Sequence, residues 1–296
     1  MIKDVSIIFI SIFFESLPFL ILGSLISAII ETFISNDTIA KLIPKNKILG
    51  SLVGVFLGFF IPACDCAVIP VSKRLVKKKV PLNVSISFMM ASPIINPVVL
   101  LSTYYAFYKS NPKIFYLRLV LGIGVSLIIG IIVGLIFKDK EIILENHACH
   151  SHHHHNKDNK FLKIMNHTLE DLFDVLKFLM IGAFIASLFQ ALLPKSLFLL
   201  FNKNEILSVL VLMLFAYLVS LCSTSDSFVG KTLLSTFSES SIIAYLLLGP
   251  MIDIKNTIVL MGNYNKKFVI TLVFTIFIVV FLFSIMAVKL LWRINF

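Results

Sequence analysis

The chain has 296 residues with 26 Lys+Arg against 16 Asp+Glu, so 14% are charged, where a water-soluble domain carries roughly a quarter. Hydrophobic residues reach 58% and Phe alone occupies 28 positions, more apolar surface than one aqueous core can hide. These values exclude a soluble enzyme, a disordered chain and a disulfide-framed secreted domain. The net charge of +10 sits in short clusters between long apolar runs, which membrane topology explains without nucleic acid.

The composition predicts an all-α, polytopic integral membrane protein. A spanning helix needs about 20 mostly apolar residues, and about eight such stretches can be drawn, at 5–30, 48–70, 80–108, 114–137, 168–193, 205–222, a broken one at 233–262, and 267–290. Met1 to Leu20 has Lys3 as its only basic residue, carries Glu15 inside its apolar part and lacks a small-x-small cleavage site. It therefore reads as a retained first span. The polar segment 138–163 separates a first membrane repeat, 1–137, from a second, 164–296.

The two parts resemble each other. Leu17, Phe19, Leu20, Gly23 and Ile26 are matched by Leu176, Phe178, Leu179, Gly182 and Ile185 at an offset of 159, and Glu15 falls on Asp174. Cys64 falls on Cys222 at 158, and Pro93-Ile94-Ile95-Asn96 on Pro250-Met251-Ile252-Asp253 at 157. Duplicated membrane halves with Pro-broken helices beside polar residues point to a secondary transporter whose site lies between the repeats. The breaks fall at Pro62 and Pro70 around Cys64-Asp65-Cys66, at Pro93 and Pro97 around Asn96, after Cys222, and at Pro250 before Asp253. Backbone freed there cannot face lipid. A cytoplasmic N-terminus places the densest basic cluster, Lys73 to Lys79, inside. Four spans per half make the repeats parallel; a re-entrant pair at 80–108 makes the count odd and the repeats inverted. Both remain open at this level.

Cys64-Asp65-Cys66 carries the sharpest chemistry. Residues two apart on a helix point about 200° from each other, so both thiols reach one ion only where the backbone unwinds. Thiolates select soft ions such as Cu(I), Zn(II) and, by the same softness, trivalent arsenic or antimony; a buried cysteine is also simply a small apolar residue. Cys222 joins them as a candidate third thiol through the repeat. Asp65, Asn96, Ser223, Asp226 and Asp253 are candidate substrate-binding residues, although Asp226, Asn96 and Asp253 could equally cap half-helices, and Lys255 stands ready to neutralise Asp253. Glu15, Asp65 and Asp226 are candidates for proton coupling, because an ionisable group inside a span is costly unless it works. Glu170, Asp171 and Asp174 read as the acidic first turn of a helix. In the linker, His147, Cys149, His150, His152, His153, His154 and His155 form a dense set of imidazole and thiol ligands, suited to capturing or sensing Zn(II), Cu or Ni(II), or else a solvated low-complexity loop.

The stretch IPACDCAVIPVSKRLVKKKVPLNVSISFMMASPIINPVVL, with LCSTSDSFVG and LLLGPMIDIKN in the second half, resembles the predicted permease family that includes the ArsP-type organoarsenical exporters and related copper/zinc efflux permeases. The shared motifs fall on Cys64, Cys66, Pro70, Val71, Pro93, Asn96, Pro97, Cys222, Ser223 and Asp226. The resemblance implies a multi-pass permease of the cell inner (plasma) membrane that exports a thiol-reactive metal or metalloid. Its partners would be a small inorganic or organometallic substrate and the lipid bilayer. No cofactor is expected, metal entering as substrate or loop ligand, and no enzyme activity. Proton exchange is the expected driving force, since no nucleotide-binding loop occurs. The competing reading is a transmembrane thiol-disulfide electron carrier using Cys64 and Cys222; a third is a channel or membrane subunit whose buried acids and thiols are inert.

Overall fold

The computed structural model describes residues 2–33, 44, 46–61, 65–137, 142, 160–192 and 204–291. These are helical almost throughout. The first six helices are α1 (Ile2–Phe33), α2 (Lys47–Phe60), α3 (Asp65–Lys77), α4 (Leu82–Ile95), α5 (Pro97–Phe107) and α6 (Lys113–Ile136). Six more follow in the same pattern of long and short: α7 (Lys160–Leu192), α8 (Glu205–Val219), α9 (Ser225–Leu233), α10 (Glu239–Met251), α11 (Ile254–Asn263) and α12 (Lys266–Leu291).

Among the described residues, six stretches are long and apolar enough to cross a bilayer: Lys3–Ile30, Leu82–Phe107, Lys113–Ile136, Ile164–Leu192, Glu239–Asn263 and Lys266–Met286. The apolar stretches at 48–70 and 205–222 behave differently, and side-chain contacts show how. Asn83 Nδ2 donates to the Lys47 carbonyl at 2.8 Å, and Ser92 Oγ donates to the Ile61 carbonyl at 3.1 Å, so α2 and α4 run side by side in the same direction. The chain must turn back between them, and α3 is the returning limb. In the second half Ser208 meets Ser241 at 2.8 Å, and the rings of Phe215 and Tyr245 stack with centroids 6.0 Å apart. Thus α8 and α10 are also parallel, and α9 returns. Each hairpin reaches only mid-depth, since 14 residues of α2 span about 21 Å of a core roughly 30 Å thick.

Among the described residues, six crossings and two re-entrant hairpins therefore replace eight simple spans. Three crossings per six helices is an odd number, so the second six thread the bilayer in the opposite sense to the first. The element that makes the count odd is the α2–α3 hairpin; 80–108 is a continuous, broken crossing. The helices of the two sets meet in corresponding pairs: α1 with α7, α4 with α10, α6 with α12, and crosswise α3 with α11 and α5 with α9. This is the contact pattern of a twofold axis lying in the membrane plane.

Small residues make the inner packing possible. A Cβ on Gly134 would stand 2.6 Å from the Cβ of Asn83, the close approach on which helix association in lipid depends. Helix α4 is buried along its whole length between α2 and α6. The outward faces carry Phe14, Phe56, Phe60, Leu135 and Phe274, all largely exposed, which is the surface acyl chains would cover.

Candidate functional site

Four helix N-termini converge at mid-depth, and each carries an Asp or Asn. Asn96 caps α5, its Oδ1 accepting the Val99 N–H at 2.9 Å while Nδ2 donates to the Ser92 carbonyl at 3.0 Å. Asp253 caps α11, its Oδ1 accepting the Asn256 N–H at 2.6 Å. Asp65 opens α3, and Asp226 lies in the first turn of α9. The first N–H groups of a helix lack intrahelical partners and carry a fraction of positive charge, so part of the reason for these residues is local. Asn96 has both ends of its amide engaged in capping α5.

The α3–α11 crossing gathers the sulfur chemistry. Asp65 is 5% exposed and Cys66 1%. Asn256 Nδ2 donates to Asp65 Oδ2 at 2.9 Å, the Cys66 thiol donates to Asn256 Oδ1 at 3.6 Å, and Lys255 Nζ lies 3.4 Å from Asp65 Oδ2 and 3.7 Å from Asp253 Oδ2. Lys255 therefore serves a carboxylate on each half, not Asp253 alone. Helix α8 ends at Ser220 in the left-handed region, φ 50°, a conformation that costs a non-glycine residue about 1–2 kcal/mol. The turn brings Cys222 into the cleft that Cys66 lines, together with Glu15, Asp65, Ser220 and Lys255. Cys66 is buried and Cys222 half-buried. Glu15 is exposed at the cleft lining and not sealed in protein. Ser223 is buried beside Cys222.

The α5–α9 crossing holds a different set. Arg118, fully buried on α6, donates through Nη1 to Thr103 Oγ1 and Ser227 Oγ, both at 2.8 Å. Tyr245 donates its hydroxyl to Asp226 Oδ1 at 3.0 Å. Arg118 Nε and Nη2 and Asp226 Oδ2 have no hydrogen-bond partner among the described residues. Asp226 thus belongs to a second cluster and does not line the thiol cleft. Lys255 thus lies between Asp65 and Asp253, while Arg118 bonds Ser227, the neighbour of Asp226; buried ionisable groups at this depth are costly unless partnered.

Other expectations fall out unevenly. Cys64 lies outside the described residues, immediately before α3, as do His147, Cys149, His150, His152, His153, His154 and His155. Among the described residues no group of three or more His, Cys, Asp or Glu is arranged to hold a metal. The acidic trio of α7 is not a first turn: the helix starts at Lys160, about three turns earlier. Asp174 instead pairs with Lys177 at 3.6 Å on the surface. Asp171 accepts two hydrogen bonds from Arg74, at 2.7 and 3.0 Å, and a third from Ser27 at 2.8 Å. That clamp ties α3 and α1 to α7 on the side of the membrane where α1 ends. Arg118, Asn256, Tyr245 and the Arg74–Asp171 clamp escape a reading of the sequence. Arg118 had one signal, its place inside an apolar span.

Residues 1–288 match the model of the ArsP_1 predicted permease family. The chain belongs to this family. It is 41% identical over 274 residues to the UPF0718 protein YcgR of Bacillus subtilis, covering 92% of this chain and 93% of that protein. Over 281 residues it is 38% identical to a Streptococcus mutans protein proposed to be a subunit of a two-component membrane permease complex, covering 94% and 93%. A shorter likeness, 26% over 124 residues, links 41% of the chain to 33% of the UPF0718 protein MJ0584 of Methanocaldococcus jannaschii. No solved structure matches. Family membership and six apolar crossings identify a multi-pass membrane permease.

Proposed function

We propose that this permease exports a thiol-reactive substrate, a soft metal ion or a trivalent metalloid or organoarsenical, across the cell's inner (plasma) membrane, driven by proton exchange. The observation that carries the reading is the shared cleft of Cys66 and Cys222 beside Asp65: thiols from opposite halves and a carboxylate meet at mid-depth, where soft ligands select soft ions and ionisable groups persist when they work. Cys64, next in sequence, would complete a three-thiol set, and the His-rich segment 147–155 would collect or sense metal at the membrane surface. Asp65, Asp226 and Glu15 are the candidates to exchange protons. No resident cofactor and no chemical conversion are required. By analogy with the streptococcal relative, a second subunit is a candidate partner.

Inverted repeats suggest how access alternates. Helices α1 and α7 both lie on the α3–α11 side: a Cβ on Gly23 would meet the Ala67 carbonyl at 2.6 Å, and one on Gly182 the Lys255 carbonyl at 2.9 Å. Exchanging the roles of the repeats moves α1 against α5 and α7 against α9. By the same register Gly23 would then meet Val98, the counterpart of Lys255 and 57% exposed in the present state. The Arg74–Asp171 clamp would have to open on one side as the thiol cleft closes on the other.

The test is growth and cell content of a sensitive bacterial host carrying the chain, across Cu, Zn, Ni, arsenite and methylarsenite. Protection against at least one, lost in Cys66→Ser, is expected. Protection that survives Cys66→Ser but not Cys222→Ser favours the electron-carrier reading, and uniform failure across the panel removes the exporter.

A further inference from the structure

Asp65 has a second face. Behind the thiol cleft, towards the contact of α4 with α10, lies another cavity lined by Asp65 and Asn256 and by three methionines, Met89, Met90 and Met251. The prolines that weaken the two broken crossings, Pro93 and Pro250, form part of its wall. It has room for about one water-sized guest. All three methionines are at least nine-tenths buried. The chain has nine methionines, and a third of them line this one space beside a carboxylate.

Methionine fills gaps in ordinary cores, so sulfur here needs a chemical argument. A thioether is neutral, does not titrate, and ranks with thiolate as a soft ligand that selects Cu(I). Zn(II) takes thiolate, imidazole and carboxylate in tetrahedral sites. Trivalent arsenic is captured by displacing thiol protons, which a thioether lacks. Three neutral thioethers and one carboxylate balance the charge of a monovalent cation and leave a divalent one uncompensated. An uncompensated charge at this depth is strongly disfavoured. Lys255 supplies the exchange: it lies within 4 Å of both Asp65 and Asp253, so a cation arriving at Asp65 can push the ammonium wholly onto Asp253. The size of the cavity favours a bare ion over an organoarsenical.

We infer that the Met89–Met90–Met251 cavity is a thioether binding site for a monovalent soft cation, Cu(I) or its analogue Ag(I), reached from the thiol cleft past Asp65. The inference rests on the permease reading and narrows its substrate class. An ion held by Cys66 and Cys222 would pass from anionic thiolates to neutral thioethers with Asp65 in contact throughout, a descent in affinity that lets a tightly held ion leave.

The experiment uses full-length protein in proteoliposomes, with flux of Ag(I), Zn(II), arsenite and methylarsenite measured separately by elemental analysis. The triple variant Met89→Leu/Met90→Leu/Met251→Leu conserves volume, and Met-to-Leu exchanges are among the best tolerated in a packed core; its thermal midpoint is recorded with and without Ag(I). Wild type is expected to carry Ag(I), with the triple variant at least tenfold slower and the Ag(I)-induced rise in thermal midpoint reduced. Single Leu variants should give intermediate fluxes. Wild-type Ag(I) flux in the folded triple variant overturns the inference, because a packing role alone predicts that result. Flux of Zn(II) or an arsenical without Ag(I) overturns it too, yet leaves the permease reading intact. Absence of flux for all four substrates removes both. Should the triple variant fail to fold, Met251→Leu alone decides by the same two readouts.

Discussion

The two crossings of broken helices share a geometry and differ in chemistry. At α3–α11 the polar groups are two thiols, a lysine between two carboxylates and an amide, set around a cleft. At α5–α9 they are a guanidinium, three hydroxyls, a phenol and a carboxylate with no sulfur. Lys255 can trade partners because an ammonium is a compact charge on a flexible stem, whereas the planar fork of Arg118 is pinned by Thr103 and Ser227. The first crossing is thus suited to hold and release a soft guest, and the second to stay put. Helices α1 and α7 lie only over the first. The difference teaches that a near-symmetric architecture can hold two chemically different polar clusters.

That contrast can be broken experimentally, and the largest effect is expected at its rigid end. Arg118→Met removes a buried cation near Asp226 and should destabilise the protein by about 3–5 kcal/mol, read as a fall in the thermal midpoint of the purified chain. The double variant Arg118→Met/Asp226→Asn should regain most of the loss; a double no better than the single would show that the two charges do not see each other. At the other crossing Cys66→Ser keeps size and a donor, so folding should hold while transport drops more than tenfold in the resistance and flux assays. Equal loss of stability and transport would make Cys66 a packing residue.

The Arg74–Asp171 clamp is next. It is partly exposed, and removing it by Asp171→Asn should cost about 1–2 kcal/mol while shifting the balance between inward and outward states. The swap Arg74→Asp/Asp171→Arg should restore activity that either single change lowers, and an inactive swap would argue against a gate. In the same series, cysteines placed at Leu22, beside Gly23 and exposed, and at exposed Val98 should cross-link only when the thiol cleft is closed. A yield indifferent to substrate would refute the exchange of α1 from α3 to α5. The smallest effect is expected at Asn96→Ala, which loses a helix cap worth about 0.5–2 kcal/mol but no substrate contact. Transport per folded molecule should therefore survive, in contrast to Asp253→Asn, which keeps the cap and deprives Lys255 of its second carboxylate.

The residues show why some of this was readable in one dimension. Apolar length and the prolines that precede the breaks at Asn96 and Ile252 are local properties, so the membrane class and those breaks follow from them. The hairpins were not legible. Apolar stretches that stop half-way and stretches that cross have the same composition, and what sets α2 apart is that Asn83 and Ser92 meet it in parallel order. Nor was the division of the acids: Asp65 and Asp226 look alike in sequence, and only the crosswise pairing of α3 with α11 and α9 with α5 assigns them to different clusters.

Composition by itself determined that this chain lives in a bilayer, because 58% apolar residues leave no way to build a wet surface, and Pro93 and Pro250 marked the breaks at Asn96 and Ile252, whereas Pro70 sits inside α3. The tertiary structure decided the rest: the sense in which the halves thread the membrane, the partners of each buried charge, and the placing of three thioethers behind a carboxylate. Those outcomes depend on which helices touch, and contact between residues 190 positions apart, such as Cys66 and Asn256, is a property of packing that no local pattern encodes.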